Sequence, residues 1–404
     1  MLDALPSYPV QAIYLGMPLL MALVVWFSFR TTLWFKFNGI DTNFFRSSNI
    51  SLQARARANL AHYIANHLLL PLASRTKIFC HLEPEHCLNE ILNRSHIHLD
   101  DQFDEVLNQE VPLLWGNLPP LLKNRVYATA HNQLPRLVDD LLEDIIDEIE
   151  TIWDLEETIF NKLQRQPELK NRFFNEALKK DLNRAGLLAT FTGLCCGFLQ
   201  AVLSYQFQTY WVFIGSGTAF AILAVIWHLR FVSSIYLTDT AINTSMNNSQ
   251  EQGSDAYGDL IQRIYPFITE HFFTPTETFK QIFTGVHQLR TQQLMRKHSK
   301  GITDGSILKP ITQIGGNFET YAKIKNQINN KLTQMLLLSV EDHQFNRNRS
   351  RTLQKLFIDR AQRLNYSEQS HLIQTPLQNV KIELIILTGV LGAGIGTLEY
   401  LLFL

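Results

Sequence analysis

Between Arg184 and Arg230 the chain carries no lysine, arginine, aspartate or glutamate. Few folded states other than membrane helices are open to so long an apolar stretch. One bilayer span takes about twenty residues, so this stretch is too long for one. A polar, aromatic break at Ser204–Tyr210 divides it into Ala185–Leu203 and Trp211–Leu229, each of span length. Tyr205, Tyr210 and Trp211 at the break are placed for the headgroup level, where amphipathic rings collect.

Two further apolar stretches flank this pair. Residues 10–29 lie within a charge-free run between Asp3 and Arg30. That run is too long for a signal peptide and lacks its basic start, so it reads as a retained helix. Leu384–Leu404 is interrupted by Glu399 close to its end, where a carboxylate can reach the interface or mark a functional site. The expected fold class is therefore all-α: an integral membrane protein with about four transmembrane helices, 10–29, 185–203, 211–229 and 384–404.

Orientation follows from the basic residues at the span ends. Arg30, Lys36 and Arg46 follow the first span, and Lys179, Lys180 and Arg184 precede the second. Arg230 follows the third and Lys381 precedes the fourth, while the Ser204–Tyr210 turn has no charge. All basic flanks then share one side, expected to be the cytoplasm. Two helical lobes, residues 31–184 and 231–383, hang on that side of the membrane.

The halves look related. Tyr63-Ile64-Ala65-Asn66-His67 with Pro71 matches Phe267-Ile268-Thr269-Glu270-His271 with Pro275. Ile78-Phe79 and Ile282-Phe283 follow each proline at equal distance. Val24-Val25-Trp26 faces Val225-Ile226-Trp227, and Thr192-Gly193 resembles Thr388-Gly389. Each repeat is span, lobe, span, which makes the duplication parallel rather than the inverted kind common in transporters.

Inside the lobes, Leu137–Phe160 repeats apolar residues at helical period and fills the gaps with carboxylates, among them Asp140, Glu143, Asp144, Asp147 and Glu148. Asn346–Arg363 is basic, with Arg347, Arg349 and Arg351. Either is a solvated face or an interaction surface: the acidic helix for a basic partner or a second copy, the basic one for the acidic helix or anionic headgroups. The net charge of -1 gives no ground for nucleic-acid binding.

Chemistry is sparse. There is no phosphate loop, nucleophile elbow or HExxH motif. Cys80, His81, His86 and Cys87 gather possible metal ligands, but without a CxxC pair or a second ligand pair at finger-like spacing. No metal, cofactor or catalytic residue is therefore expected. In the spans, Gly193, Gly197 and Ala201, then Gly389, Gly392, Ala393 and Gly396, place small residues at four-residue spacing. That spacing lets helix backbones approach closely.

The run Phe173–Leu182, then Gly193-Leu194-Cys195-Cys196-Gly197-Phe198-Leu199, resembles the juncture before the central span in a bacterial membrane family, domain of unknown function 445, the YheB/YjiN-like proteins. Thr375-Pro376-Leu377-Gln378-Asn379-Val380-Lys381 with Gly389-Val390-Leu391-Gly392 and Gly396 resembles the end of that family's chains, and Tyr63–Pro71 its helix after the first span. Two departures stand out: Trp26–Arg30 replaces the family's Gly and Asn-Trp, and Glu399 stands where glutamine is common. The resemblance implies an inner-membrane protein with helical lobes and no reaction. The expected function is a non-enzymatic scaffold that self-associates or recruits a protein partner at its acidic helix, in contact with membrane lipid. Transport or lipid handling along an apolar groove is the alternative, and a metal-dependent membrane enzyme a more remote one.

Overall fold

The computed structural model describes residues 8–37, 52–207, 210–246, 256–304, 309–310, 318–339, 343–365, 368–369 and 381–403. Arg46 and most of the C-terminal motif 375–381 lie outside them, as do the side chains of Lys36, Arg230 and Lys381. The described residues are helical, with no strand among them. Three helices are long and apolar enough to cross a membrane: Glu168–Gln206, Trp211–Leu229 and Leu384–Leu401. This is the signature of a membrane protein. A shorter apolar helix covers Gly16–Thr32.

The chain divides into two compact units. The first comprises Met1–Leu68, Leu163–Ile264 and Arg360–Leu404; the second comprises Leu69–Lys162 and Tyr265–Asp359.

Four helices dominate the first unit: α1 (Tyr8–Phe37), α2 (Lys179–Gln206), α3 (Tyr210–Met246) and α4 (Lys381–Phe403). They form a closed ring in which α1 packs on α2, α2 on α3, α3 on α4 and α4 on α1. Many bulky apolar side chains point outwards: Leu19, Leu187, Phe191, Trp211 and Val390 are each more than half exposed. Outward apolar surface of this extent on several helices matches lipid rather than water. Inside, the core is made of smaller groups, including Ala185, Ala189, Cys196, Ala221 and Ala224, around Met21, Val25 and Phe29.

Glycines set the distance between neighbours. A Cβ at Gly193 would lie 2.7 Å from Ala22 Cα, and one at Gly197 would lie 2.5 Å from Pro18 Cα. On the other side of the ring, Gly217 and Gly392 would each put a Cβ 2.7 Å from the other's carbonyl oxygen. A Cβ at Gly396 would meet Phe213 O at 2.5 Å. Both crossings are antiparallel, since rising numbers on one helix face falling numbers on its neighbour.

At the start of α2 the unit holds a nearly buried ion pair. Arg263 Nη2 donates to Asp181 Oδ2 at 2.6 Å, and its Nη1 to Ala177 O at 3.3 Å. Lys180 reaches Asp259 at 2.5 Å, and this hydrogen bond holds the Asp259 carboxyl below its ordinary range.

The second unit draws on two stretches of the chain, Leu69–Lys162 and Tyr265–Asp359. From the first come α5 (Arg75–His81), α6 (Pro84–Glu110), α7 (Pro120–Ile152) and most of α8 (Leu155–Arg165). From the second come α9 (Pro275–Thr284), α10 (Gln288–His298), α11 (Phe318–Ser339) and most of α12 (His343–Gln362). Helix α7 is the spine: it buries Leu134, Val138, Leu141, Ile145 and Ile149 at helical period and packs against α5, α6 and α10. Helix α11 packs on α6, tied by Lys331 to Glu105 at 2.7 Å and Gln327 to Glu110 at 2.5 Å. Phe79, Trp153, Phe273 and Phe279 bring aromatic rings from both segments into one cluster.

The single helix expected over Leu137–Phe160 is two. The chain leaves helical geometry at Trp153, with φ -117° and ψ 116°. The Asp154 carboxylate then accepts from the backbone N–H groups of Glu156 and Glu157 at 2.9 and 3.3 Å. This is N-terminal capping, in which a short side chain offers the backbone a partner that the continuing helix cannot. Trp153 turns inward, fully buried, and donates its indole N–H to Thr158 at 3.0 Å.

The glycine contacts give a direct prediction. Gly193→Leu or Gly392→Leu forces the backbones apart and should cost about 1–3 kcal/mol, the usual cost of overpacking. Gly394, where an added Cβ meets nothing within 4 Å, should accept alanine. Thermal unfolding of the lipid-embedded protein measures the difference; equal midpoints for all three variants would contradict the packing account.

Candidate functional site

Three groups of residues have functional character: the charged helices of the second unit, the cysteine–histidine segment, and polar groups inside the helical ring.

On α7 the carboxylates fall into two rows. Asp140, Asp144 and Glu148 form the inner row, facing α10. Arg290 holds Glu148 with two nitrogens, at 2.6 and 2.5 Å. Asp144 accepts from Lys297 at 2.6 Å and from His298 at 2.7 Å, and Asp140 lies 3.8 Å from the same imidazole. The hydrogen bonds from Lys297 and His298 hold the Asp144 carboxyl below its ordinary range, and that from Arg290 does the same for Glu148. The acidic helix thus finds its basic partner within the chain, on Gln288–His298.

The outer row is Asp139, Glu143 and Asp147, spaced four apart and all exposed. It faces away from the buried side of α7. On α12, Arg347, Arg351 and Lys355 form a basic row of the same spacing, also exposed. Arg349, between them, turns inward to pair with Glu83 and lies over the Phe345 ring at 5.4 Å. Burial of the Arg349 guanidinium lowers its affinity for its proton. Glu83 itself sits at φ 52°, the left-handed conformation.

The cysteine–histidine segment spans the end of α5 and the start of α6. Cys80 is exposed and Cys87 buried, and burial pushes the Cys87 thiol up to about 12. His81 bonds to Lys77 O at 2.9 Å, and His86 lies 3.5 Å from Glu83. Among the described residues no three His, Cys, Asp or Glu side chains converge as a metal site.

Inside the ring lie polar groups that sequence reasoning placed differently or passed over. Glu399 turns inward: it is 1% exposed and accepts from Gln200 Nε2 at 2.7 Å. Helix α4 turns that face to the ring axis, because Phe213 and Ile214 pack over neighbouring Gly396. Gln200 is itself fully buried. Towards the other end of the ring, His228 is fully buried, edge-on to Phe29 at 4.9 Å, and Ser28 is buried beside it in sequence. A lone amide and a lone imidazole within apolar spans were the available signals for Gln200 and His228.

The inner row predicts a pH dependence. Both folded carboxyls are depressed, so their stabilisation is complete above the unfolded carboxylate range, about pH 4 to 5, and is lost as pH falls through the lower folded values. The thermal midpoint of the native chain should fall more steeply below about pH 5 than that of Asp144→Asn with Glu148→Gln. At neutral pH, Asp144→Asn alone should cost under about 1 kcal/mol, because solvent screens the pair. Parallel pH profiles would show that the row contributes nothing.

A scan against protein-family models, a search of curated proteins and a search of solved structures each return no match for this chain.

Proposed function

We propose that the chain is a multi-pass scaffold of the bacterial inner membrane that self-associates through its soluble helical part. One observation carries this reading: two exposed rows of opposite charge and equal spacing, Asp139-Glu143-Asp147 and Arg347-Arg351-Lys355. Among the described residues none of the six makes an ion pair. Helical rise separates successive members of each row by about 6 Å, so two antiparallel helices bring the rows into register over about 12 Å. Complementary rows of this kind favour partner choice and encounter rate more than raw affinity.

The membrane part of the proposal has four spans, with Gly16–Thr32 as the core of the first. Its supports are the closed ring and the outward apolar side chains. The Arg30 guanidinium lies over Trp26 at 5.6 Å, an arrangement that suits the membrane interface. Exposed Trp211 and Tyr205 suit the opposite interface. Placing the soluble unit in the cytoplasm follows from the basic flanks.

The parallel duplication belongs to the proposal as well. Tyr63 and His67 pair their rings at 6.0 Å, and Phe267 and His271 at 4.5 Å, in matching positions. Thr192 and Thr388 are both buried and both donate to the carbonyl four residues before them. The two glycine crossings repeat the same antiparallel arrangement.

Particle mass after gentle extraction tests the self-association. The native chain should exceed its monomer mass of 46.6 kDa, and Asp139→Lys with Glu143→Lys and Asp147→Lys should return it to monomer. Adding Arg347→Glu, Arg351→Glu and Lys355→Glu should restore the assembly. A monomeric native chain, or an assembly indifferent to charge reversal, would contradict the proposal.

A further inference from the structure

The helical ring has two diagonals. Across one, α1 and α3 meet through Phe29 and His228. Across the other, α2 and α4 are joined by the hydrogen bond from Gln200 to Glu399. This second tie crosses the ring interior near the C-terminal ends of both helices. Both side chains are essentially removed from solvent.

Among the described residues nothing balances a negative charge there. Helix α1 carries no charged residue before Arg30, α2 none after Arg184, and α3 none before Arg230. Within those charge-free stretches the titratable groups are Tyr8 and Tyr14 on α1, then Cys195, Cys196 and Tyr205 on α2. Tyr210 and His228 lie on α3, and Tyr400 lies on α4 itself, whose far start carries Lys381 and Glu383. The one imidazole among them belongs to the other diagonal, towards the opposite end of the span. A carboxylate held by one neutral amide inside a membrane is a costly arrangement.

The hydrogen-bond inventory points the same way. Gln200 Nε2 donates to Glu399 Oε2, while Gln200 Oε1 and Glu399 Oε1 have no partner among the described residues. Both unpartnered atoms are oxygens, and what they lack is a donor. One proton on Glu399 supplies it: the carboxyl then donates as well as accepts, as in a two-way acid–amide pair. A metal cation would need a fuller oxygen shell than one carboxyl and one amide carbonyl provide.

We propose that Gln200 and Glu399 form an intramembrane proton-binding site, in which Glu399 is carried as the neutral acid and Gln200 is its positioning partner. The inference rests on α2 and α4 being spans and does not depend on self-association. The same chemistry makes Glu399 a modification site for apolar carbodiimides. The carboxyl oxygen bonds to the central carbon of the reagent and the carboxyl proton moves to its nitrogen. The acyl group then shifts from oxygen to nitrogen, and nothing leaves.

Infrared spectroscopy of the chain in lipid bilayers at neutral pH tests the site. The native chain should show a protonated-carboxyl carbonyl band that Glu399→Gln removes. Gln200→Leu should shift that band by removing its hydrogen bond, which a merely structural residue elsewhere in the ring would not do. A native-minus-variant difference with only ionised-carboxylate bands would overturn the proposal. So would a band that sodium chloride abolishes and choline chloride preserves, since the ligand would then be a metal cation. Dicyclohexylcarbodiimide should add one reagent mass to the peptide containing Glu399, with addition falling as pH is raised. Addition that increases with pH would contradict a protonated site.

Discussion

Everything in the membrane part depends on how closely the helix backbones approach. In lipid no hydrophobic force pushes two apolar helices together, so association relies on packing and hydrogen bonds. Gly193 and Gly197 let α2 lie against Pro18 and Ala22, and Gly217, Gly392 and Gly396 let α3 and α4 touch backbone to backbone. Side chains at these points would open the ring. With the ring closed, small residues line its interior and the large apolar ones, such as Leu187 and Val390, are left facing outwards. The polar groups on the diagonals follow from the same closure, since Gln200 and Glu399 can bond across the interior only when all four helices are close.

The second unit solves a different problem with charge. Its two segments lie more than a hundred residues apart in sequence, and an apolar interface alone tolerates sliding. Fixed pairs such as Arg290 with Glu148, Lys297 with Asp144 and Lys162 with Glu277 set the register between them. The inner carboxylate row is thereby occupied within the fold. Among the described residues the outer row, on the same helix, is left over, as is the matching basic row on α12. That remainder is the physical basis for reading the unit as an association surface.

Much of this was legible in the residues. Charge-free stretches located the apolar helices, and the break at Ser204–Tyr210 falls where α2 ends at Gln206 and α3 begins at Tyr210. Glycine spacing drew attention to Gly193, Gly197, Gly392 and Gly396, which lie against neighbouring backbone, but not to Gly217, and Gly389 meets only the Ile222 side chain. The break at Trp153 was less visible because apolar period continues through it. Its signal was Asp154 before Glu156 and Glu157, a cap with an acidic first turn. The partner of the acidic helix was hidden by dilution. Arg290, Lys297 and His298 stand among glutamines and attract less notice than the arginine-rich 346–363 segment. Glu399 was visible as a charge in a span, but its direction was not, because burial depends on a neighbour on a distant helix, Gln200. The motifs named no reaction, and the geometry adds polar groups inside the ring.

The central claim is that the ring spans a membrane with both soluble segments on one side of it. Site-directed labelling with a membrane-impermeant maleimide on intact cells measures this directly. Cys80, which is exposed, reports on the soluble unit, and Phe207→Cys reports on the turn between α2 and α3. The account predicts that the Phe207→Cys site is labelled from outside, and that Cys80 is labelled only after the membrane is opened. Labelling of Cys80 in intact cells, or protection of the turn, would contradict it.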